Sequence, residues 1–192
     1  MLILASKSPR RSELLQQAGY PFRVVVSEAG ELTGGLEPSE LVQKNACLKA
    51  LKVAGEVGDA VPVLGADTVV VADTCIFGKP ADRREAKRML MALSGREHLV
   101  MTGVALVYNG RVYKDTAVTK VFFAPLSEEL VERYLDSGEP EGKAGAYAVQ
   151  GRAAVFIRRL EGSFSNVVGL PLFLVRELAE KAGVDLYGND GA

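Results

Sequence analysis

The chain has little of the chemistry that cysteine and histidine supply. Its 192 residues include two cysteines, one histidine and no tryptophan. Cys47 and Cys75 lie far apart, so the sequence contains neither a disulfide framework nor the spacing of a zinc finger, and we expect both to be reduced packing residues. A Ser-His-Asp triad would have to use His98, which lies in a predicted strand and is expected to be structural or exposed. A divalent metal ion would therefore depend on carboxylate oxygens, which favours a hard ion such as Mg²⁺.

A strong excess of one charge and a long hydrophobic run are also missing. Lys and Arg together number 23 and Asp and Glu 24, which gives a formal net charge of −1. This balance provides no general electrostatic reason to bind a nucleic-acid polymer or an anionic membrane, whereas a small phosphorylated ligand needs only local charge. No apolar run approaches membrane-spanning length and residues 1–5 do not form a signal peptide, so we expect a cytoplasmic protein.

The apolar content is sufficient for a full core. Hydrophobic residues make up 48% of the chain, and its length fits one domain or two closely joined lobes. The pattern predicts an α/β fold with a turn at residues 73–77, a hairpin turn at Asn109-Gly110 and a disordered tail at about 188–192. The predicted strands are 2–5, 22–26, 61–72, 98–108, 111–124 and 147–156, and the predicted helices are 9–18, 38–55, 82–93, 127–136 and 171–182.

The first strand is followed by a polar loop that opens a helix. Ser8 is a natural N-cap, Pro9 is the favoured first helical residue, and Gly19 supplies the stop. A helix N-terminus presents unpaired backbone N–H groups and a partial positive charge, which attract anions. The loop has neither the Lys-Ser/Thr ending of a P-loop nor the glycine spacing of a dinucleotide fingerprint, so any phosphate here is bound in another way.

Three cations stand at the start of this helix, namely Lys7, Arg10 and Arg11. Cations stabilise a helix better at its C-terminal end, so their position here runs against the dipole preference. This conflict suggests a bound anion. The alternative is that all three are solvated surface charges.

Asp67 stands near the middle of the most strand-like run in the sequence. A carboxylate in such a strand is costly unless it is paired, hydrogen-bonded or bound to metal, which indicates a functional residue. The preceding Gly65-Ala66 step leaves room for the close approach of a backbone or a ligand. Thr68 is expected on the opposite face of a regular strand.

Two further segments carry charged residues in restricted positions. Glu28 and Glu31 follow the end of the second predicted strand, where α/β folds usually carry their chemistry. Lys79 lies between Gly78 and Pro80, which restrict the backbone around it and suit phosphate binding. For each glutamate alone, a solvated loop is the simpler interpretation.

Five segments in order along the chain, SKSPRR, GADTVV, GKP, LSGREH and KAGAYAVQG, resemble the Maf family of nucleoside triphosphate pyrophosphatases over residues 2 to about 180. The GADTVV and KAGAYAVQG forms resemble its dTTP/UTP branch and not the branch acting on 7-methyl-GTP. The resemblance implies a single Maf-like domain over 1–192, with an elongated, mixed twisted sheet flanked by helices and two lobes with a cleft, similar to inosine triphosphate pyrophosphatases. It also implies a homodimer.

The resemblance implies cleavage of dTTP and UTP between the α- and β-phosphates, giving the nucleoside monophosphate and pyrophosphate with Mg²⁺, or with Mn²⁺ or Co²⁺ as alternatives. Asp67 matches the family's proton acceptor, and Asp67 and Glu31 match its metal ligands. The catalytic residues that the resemblance implies are Asp67, Lys79 and Glu31. Arg11, Lys49 and Lys79 match the basic residues around the phosphates. Arg10, Thr68 and Gln150 fall where the branch sets its base preference. The residues implied to bind substrate are Ser6, Ser8, Arg10, Arg11, Lys49, Thr68 and Gln150.

Some alternatives stay open at this point. Gly30 stands where the family often has an acidic residue, so Glu28 is an alternative to Glu31 as the second carboxylate. Alternative functions are a pyrophosphatase for other modified nucleotides such as 7-methyl-GTP, and an inhibitor of septum formation in cell division that acts by protein interaction. Because Arg11 and Lys79 lie in polar segments, we also predict that replacing either with alanine cuts turnover and leaves the fold intact.

Overall fold

The computed structural model describes residues 1–58 and 60–187. Its strands are β1 (Leu2–Leu4), β2 (Phe22–Val24), β3 (Val63–Ala72), β4 (Cys75–Phe77), β5 (Glu97–Tyr108), β6 (Arg111–Phe123) and β7 (Ile157–Glu161). Its helices are α1 (Pro9–Gln17), α2 (Pro38–Val57), α3 (Arg83–Leu93), α4 (Glu128–Leu135), α5 (Phe164–Val168) and α6 (Leu172–Ala182), with 3₁₀ turns at Ala144–Ala146 and Arg152–Phe156. The predicted disordered tail at 188–192 lies outside the described residues.

The strands form one mixed sheet in the order β2-β1-β3-β5-β6-β7, with β4 paired to β3. Strand β1 pairs parallel with β2 and with β3, whereas the β3–β4 and β6–β7 pairs are antiparallel. This sheet and its helices confirm the predicted mixed α/β fold. Within the described residues, no helix is long and apolar enough to cross a membrane.

The chain divides into two compact units. The first unit comprises Met1–Asp67, Thr102–Ala117 and Gly169–Ala192, and the second comprises Thr68–Met101 and Val118–Val168. Each unit takes its residues from separate parts of the chain, so neither corresponds to one continuous half of the sequence.

In the first unit, two glycines let helix α2 lie directly on the sheet. A Cβ on Gly65 would lie 2.3 Å from the carbonyl oxygen of Ala46, and a Cβ on Gly103 would lie 2.4 Å from that of Val42. Both contacts are too short for any other residue. The room predicted at Gly65 is therefore taken by the α2 backbone, and this close approach brings the polar side chains of α2 to strand β3.

The turns and helix starts follow the predicted chemistry in most places. Asn109 and Gly110 have φ values of 48° and 70°, as a type I′ hairpin turn requires. Ser127 caps α4 by accepting from the Leu130 N–H. Ser8 occupies the N-cap of α1 with Pro9 following it, but among the described residues its side chain makes no capping hydrogen bond.

In the second unit, three local predictions are wrong. Residues 147–156 form a turn and a 3₁₀ helix, not a strand, and the backbone N–H groups of Arg152 and Ala153 bond to the Glu139 carboxylate. Tyr147 and Phe156 are buried, whereas Val155 is exposed. The predicted turn at 73–77 is confined to its first two residues and leads into β4. Cys75, expected to pack inside the protein, is exposed there.

Candidate active site

The first unit contains a buried lysine between two carboxylates. Lys49 Nζ lies 2.7 Å from Asp67 Oδ1 and 2.7 Å from Glu31 Oε1. Lys49 and Asp67 are 9% and 8% exposed, whereas the Glu31 side chain is about half exposed. Burial of a charge is costly unless it is paired, so Lys49 and Asp67 stabilise each other in the interior. The set of Glu31, Asn45, Lys49 and Asp67 is called the Asp67 cluster below.

The helical spacing of α2 explains how two members of this cluster reach strand β3. Asn45 and Lys49 are four residues apart and therefore lie on the same face of the helix. That face contacts the sheet at Gly65, two residues before Asp67. The absence of a side chain at Gly65 thus allows the polar groups of α2 to reach the carboxylate.

Asn45 is not among the residues that the sequence predicts for the site. Its side-chain amide donates to Asp67 Oδ2 at 3.0 Å and to the Leu32 carbonyl oxygen at 3.0 Å, and it accepts from the Leu32 N–H at 2.8 Å. The one signal that could have identified Asn45 is a polar residue within the apolar face formed by Leu41, Val42 and Ala46, next to Lys49 at helical spacing.

Arg11 is buried in α1, although the sequence pattern places it in a polar segment. Its Nε donates to the Gly169 carbonyl oxygen at 2.8 Å and its Nη1 to Ser6 Oγ at 3.2 Å. Burial lowers the pKa of Arg11 to about 10, and the negative charges of Asp67 and Glu31 act in the opposite direction. The guanidinium therefore remains charged at neutral pH.

The other residues of this loop differ in exposure. Ser6 is buried and its Oγ also accepts from the Ser8 N–H at 3.1 Å, while Lys7 is exposed. Arg10 is half-buried; burial lowers the pKa of its guanidinium and the charge of Glu13 opposes this effect. The alternative that all the cations here are solvated is therefore wrong for Arg11.

Of the two glutamates proposed as the second carboxylate, Glu31 is the one in contact with Lys49. Glu28 is exposed and is not among the ion-pair partners of Lys49 within the described residues. The geometry thus favours Glu31, whose segment is held by the bonds from Asn45 to the next residue, Leu32.

Three predicted residues, Thr68, Lys79 and Gln150, lie in the second unit. Lys79 and Gln150 are exposed, and Thr68 is half-buried in β3. The carbonyl oxygen of Gly78 accepts from the Gly145 N–H at 3.0 Å, so the GKP and KAGAYAVQG segments are joined through their backbones.

Glu139 organises the turn that contains Gln150. Its carboxylate accepts from the Tyr134 hydroxyl at 2.9 Å and from the N–H groups of Arg152 and Ala153 at 2.8 and 3.2 Å. A Cβ on Gly151 would lie 2.4 Å from this carboxylate, so any larger residue there would displace the Glu139 carboxylate. Glu139 is absent from the sequence predictions because two of its partners are backbone N–H groups, which no side-chain pattern reveals.

His98 is buried in the second unit, which agrees with its expected structural role. One of its ring nitrogens, Nε2, lies 2.8 Å from the Tyr147 hydroxyl, and the ring packs edge-on against Phe123. Burial lowers the pKa of His98 to about 4, so the ring is neutral at physiological pH.

The donors present fit a hard divalent cation that completes its coordination with substrate and water. Within the described residues, no group of three or more His, Cys, Asp or Glu residues is placed to hold a metal ion. Glu31 and Asp67 do converge on one point, which the Lys49 ammonium shares. Mg²⁺ is commonly bound by one or two carboxylates together with substrate phosphates, so two carboxylates suffice.

Residues 1–182 match the family described as Maf-like protein. A dTTP/UTP pyrophosphatase of Pelotomaculum thermopropionicum is 50% identical over 188 residues, covering 96% of this chain and 98% of that protein. The dTTP/UTP pyrophosphatases of Symbiobacterium thermophilum and Vibrio cholerae are 49% and 46% identical over 187 and 181 residues, covering 97% and 94% of this chain and 96% and 97% of theirs. The structure of the Staphylococcus aureus Ham1 protein aligns with a TM-score of 0.49 at 12% identity, covering 94% of this chain and 98% of that one, a likeness too distant to support a conclusion.

Proposed function

Because this chain belongs to the Maf-like protein family, we propose that it is a nucleoside triphosphate pyrophosphatase that hydrolyses dTTP and UTP to the nucleoside monophosphate and pyrophosphate. Its relatives from three species carry that activity in their names. The observation that carries the proposal is the Asp67 cluster, in which a buried carboxylate, a buried ammonium and a second, half-exposed carboxylate are in direct contact.

In this proposal Asp67 accepts the proton of the attacking water. Lys49 contacts one of its carboxylate oxygens and Asn45 the other, so the carboxylate is held in one orientation. The water oxygen forms a bond to phosphorus, the bond from phosphorus to the departing pyrophosphate breaks, and the water proton passes to Asp67. General base catalysis of this kind contributes about 10²- to 10⁴-fold to a rate.

In this proposal, Arg11, Lys49 and Lys79 neutralise the negative charge of the substrate phosphates. Phosphoryl transfer depends mainly on positioning and on compensation of negative charge. Arg11 keeps its charge at neutral pH and is held by two hydrogen bonds, so it presents a fixed cation. Lys49 provides a second cation, and the family resemblance adds Lys79, whose exposed side chain is free of a packing role.

Glu31 and Asp67 are the residues proposed to hold a divalent cation, with Mg²⁺ first and Mn²⁺ or Co²⁺ as alternatives. When bound, the cation would neutralise phosphate charge and favour departure of pyrophosphate. Lys49 already contacts both carboxylates, so it keeps them close together when no cation is bound.

Base selection is assigned to Gln150, Arg10 and Thr68 on the family resemblance. The Gln150 amide offers donors and an acceptor that can pair with the edge of thymine or uracil, and its exposure makes it available for this contact. A homodimer completes the proposal and rests on the same resemblance, whereas the proposed cytoplasmic location rests on the sequence pattern alone.

The test is pyrophosphate release with Mg²⁺ from dTTP, UTP, 5-methyl-UTP, CTP, 7-methyl-GTP and ITP. We expect dTTP and UTP to be cleaved fastest, and Asp67→Asn to lose about 10³-fold in turnover because the proton acceptor is gone. Asp73→Asn is the matched control, since it removes an exposed carboxylate that pairs with Arg96 in the second unit.

Three results would contradict the proposal. The first is no release from any of the six nucleotides, and the second is a preference for 7-methyl-GTP or ITP over both pyrimidine substrates. The third is an Asp67→Asn variant that turns over as fast as Asp73→Asn.

A further inference from the structure

We propose that Asn45 is a positioning residue that locks the segment carrying Glu31 to the carboxylate of Asp67. Its effect on turnover rests on the proposed function, whereas the lock itself is a property of the fold. The role follows from three hydrogen bonds made by one buried amide, which connect a helix, a strand and an irregular segment.

The side-chain amide of Asn45 forms its hydrogen bonds with two residues, Leu32 and Asp67. Both N–H donors of Nδ2 are used, one on the Leu32 carbonyl oxygen and one on Asp67 Oδ2, and Oδ1 accepts from the Leu32 N–H. Asn45 is only 3% exposed, so bulk water does not compete for its amide in the folded protein. A buried polar group that loses its partner costs about 1–3 kcal/mol, which favours this one arrangement.

The Glu31 segment needs such an anchor. Residues 25–33 lie outside regular secondary structure, and the Leu32 side chain is exposed and provides no apolar anchor. The ion pair between Glu31 and Lys49 has one half-exposed partner, and pairs of that kind contribute little by themselves. Lys49 therefore holds only the carboxylate end of Glu31, and the paired bonds from Asn45 to both backbone groups of Leu32 fix the backbone that follows it.

The third bond orients Asp67. Lys49 Nζ contacts Oδ1 and Asn45 Nδ2 contacts Oδ2, so the plane of the carboxylate is defined at both oxygens. Without Asn45, the carboxylate could rotate about its single bond while it keeps its contact with Lys49. Because an amide is neutral, Asn45 sets this geometry without adding charge to a site that must bind a polyanion. A displacement of about 1 Å at such a site can cost about 10²-fold in rate.

The kinetic test is a double-mutant cycle of Asn45→Ala with Glu31→Gln. We expect Asn45→Ala to lower kcat for dTTP about 10- to 100-fold with KM changed by less than about threefold, because the phosphate-binding cations keep their contacts. In the Glu31→Gln background the same change should cost less, because the carboxylate on the anchored segment is already gone and only the bond to Asp67 remains to be lost. Additive effects would overturn the inference.

The matched control is Asn166→Ala, which removes a buried asparagine amide bonded to the Val100 carbonyl oxygen and Thr119 Oγ1 in the second unit. It should lower stability without coupling to Glu31→Gln. If Asn45→Ala folds poorly, Asn45→Leu keeps the side-chain shape without adding charge and loses both donors and the acceptor for the Leu32 N–H. It should lower kcat as well, and a kcat equal to that of the parent would count against the inference.

A second readout needs no catalysis. Amide hydrogen exchange over residues 29–34 should become faster in Asn45→Ala and stay unchanged in Asn166→Ala, because the Leu32 N–H loses its acceptor only in the first variant. Unchanged exchange in Asn45→Ala would refute the lock. If the parent cleaves none of the nucleotides, the proposed function fails, and the exchange result still decides whether the lock exists.

Discussion

Each of the two units buries a polar cluster. The cluster of the first unit contains charged groups, whereas the cluster of the second unit contains neutral ones. In the first unit the Asp67 cluster keeps an ammonium and a carboxylate in the interior, in direct contact. In the second unit, burial lowers the pKa of His98 and raises that of Tyr147, so both groups of that pair are neutral. Neutral groups are the less costly solution where only stability matters. The retention of charge in the Asp67 cluster is therefore best explained by function.

The two clusters also differ in their access to solvent. His98 and Tyr147 are both buried, and the hydrogen bond between them faces other side chains such as Phe123. In the Asp67 cluster, the Glu31 side chain is about half exposed, so a ligand can reach the edge of the cluster. The comparison predicts that changes in the Asp67 cluster affect turnover most, and that changes in the His98–Tyr147 pair affect stability alone.

The largest effect is expected for Lys49→Met. The variant should lose about 10³-fold in turnover, because a phosphate-neutralising cation and the group that holds the two carboxylates are both removed. It should also lose about 3 kcal/mol in free energy of unfolding, since Asp67 is left buried without its ion-pair partner. Steady-state kinetics and urea denaturation measure the two losses.

Lys52→Met is the control for this change, because Lys52 lies on the same helix and forms an exposed ion pair with Glu56. It should change neither quantity appreciably. If Lys49→Met retained the turnover of Lys52→Met, the buried ion pair of Lys49 and Asp67 would have only a structural role. The functional difference between the two clusters would then disappear.

A smaller effect on turnover is expected for Arg11 and Lys79, two cations to which the family resemblance assigns the same role. Arg11→Ala and Lys79→Ala should each lower turnover about 10²-fold through lost charge compensation. Arg11→Ala should in addition lower the free energy of unfolding by about 2 kcal/mol, because the Gly169 carbonyl oxygen and Ser6 Oγ lose a buried donor. Lys79 is exposed, so the Tm of the Lys79→Ala variant should stay at the parental value.

Lys7→Ala provides the comparison for Arg11→Ala, since Lys7 belongs to the same loop and is exposed. It tests whether loss of any positive charge near the start of α1 lowers the free energy of unfolding as much as Arg11→Ala does. Equal losses of stability in Lys7→Ala and Arg11→Ala would show that the buried hydrogen bonds of Arg11 contribute nothing.

The smallest effect on turnover is expected at His98, which instead sets a pH dependence of stability. The pKa is lowered from 6.5 to about 4 in the folded protein, so the unfolded chain binds the proton first as the pH falls. Stability is therefore fully present above about pH 6.5 and is lost as the pH falls towards 4, by up to about 3 kcal/mol. Urea denaturation between pH 4 and 7 should show this slope.

His98→Gln should flatten that slope, because glutamine does not titrate and its amide can still bond to the Tyr147 hydroxyl. Turnover at pH 7 should be unaffected. An unchanged slope in the variant would assign the acid sensitivity to carboxylates, and a loss of turnover would contradict the structural role of His98.

The sequence by itself determined most of the helices and strands, but not β4, β7 or α5, and it singled out the most constrained residues. Asp67 was evident as a carboxylate in an apolar strand, the Asn109-Gly110 hairpin followed from turn geometry, and Lys79 was placed in an exposed loop by its neighbours. These features depend on local backbone preference and on the cost of burying charge, both of which can be read along the chain.

Only the tertiary structure decided which groups meet. The burial of Arg11 depends on the Gly169 carbonyl oxygen, more than 150 residues away. The 3₁₀ turn at Arg152–Phe156 depends on the Glu139 carboxylate, and the position of Glu31 depends on the bonds from Asn45 to Leu32. Each of these contacts joins a side chain to a backbone group that every residue possesses, so it leaves no pattern in the sequence and is chosen only when the elements pack.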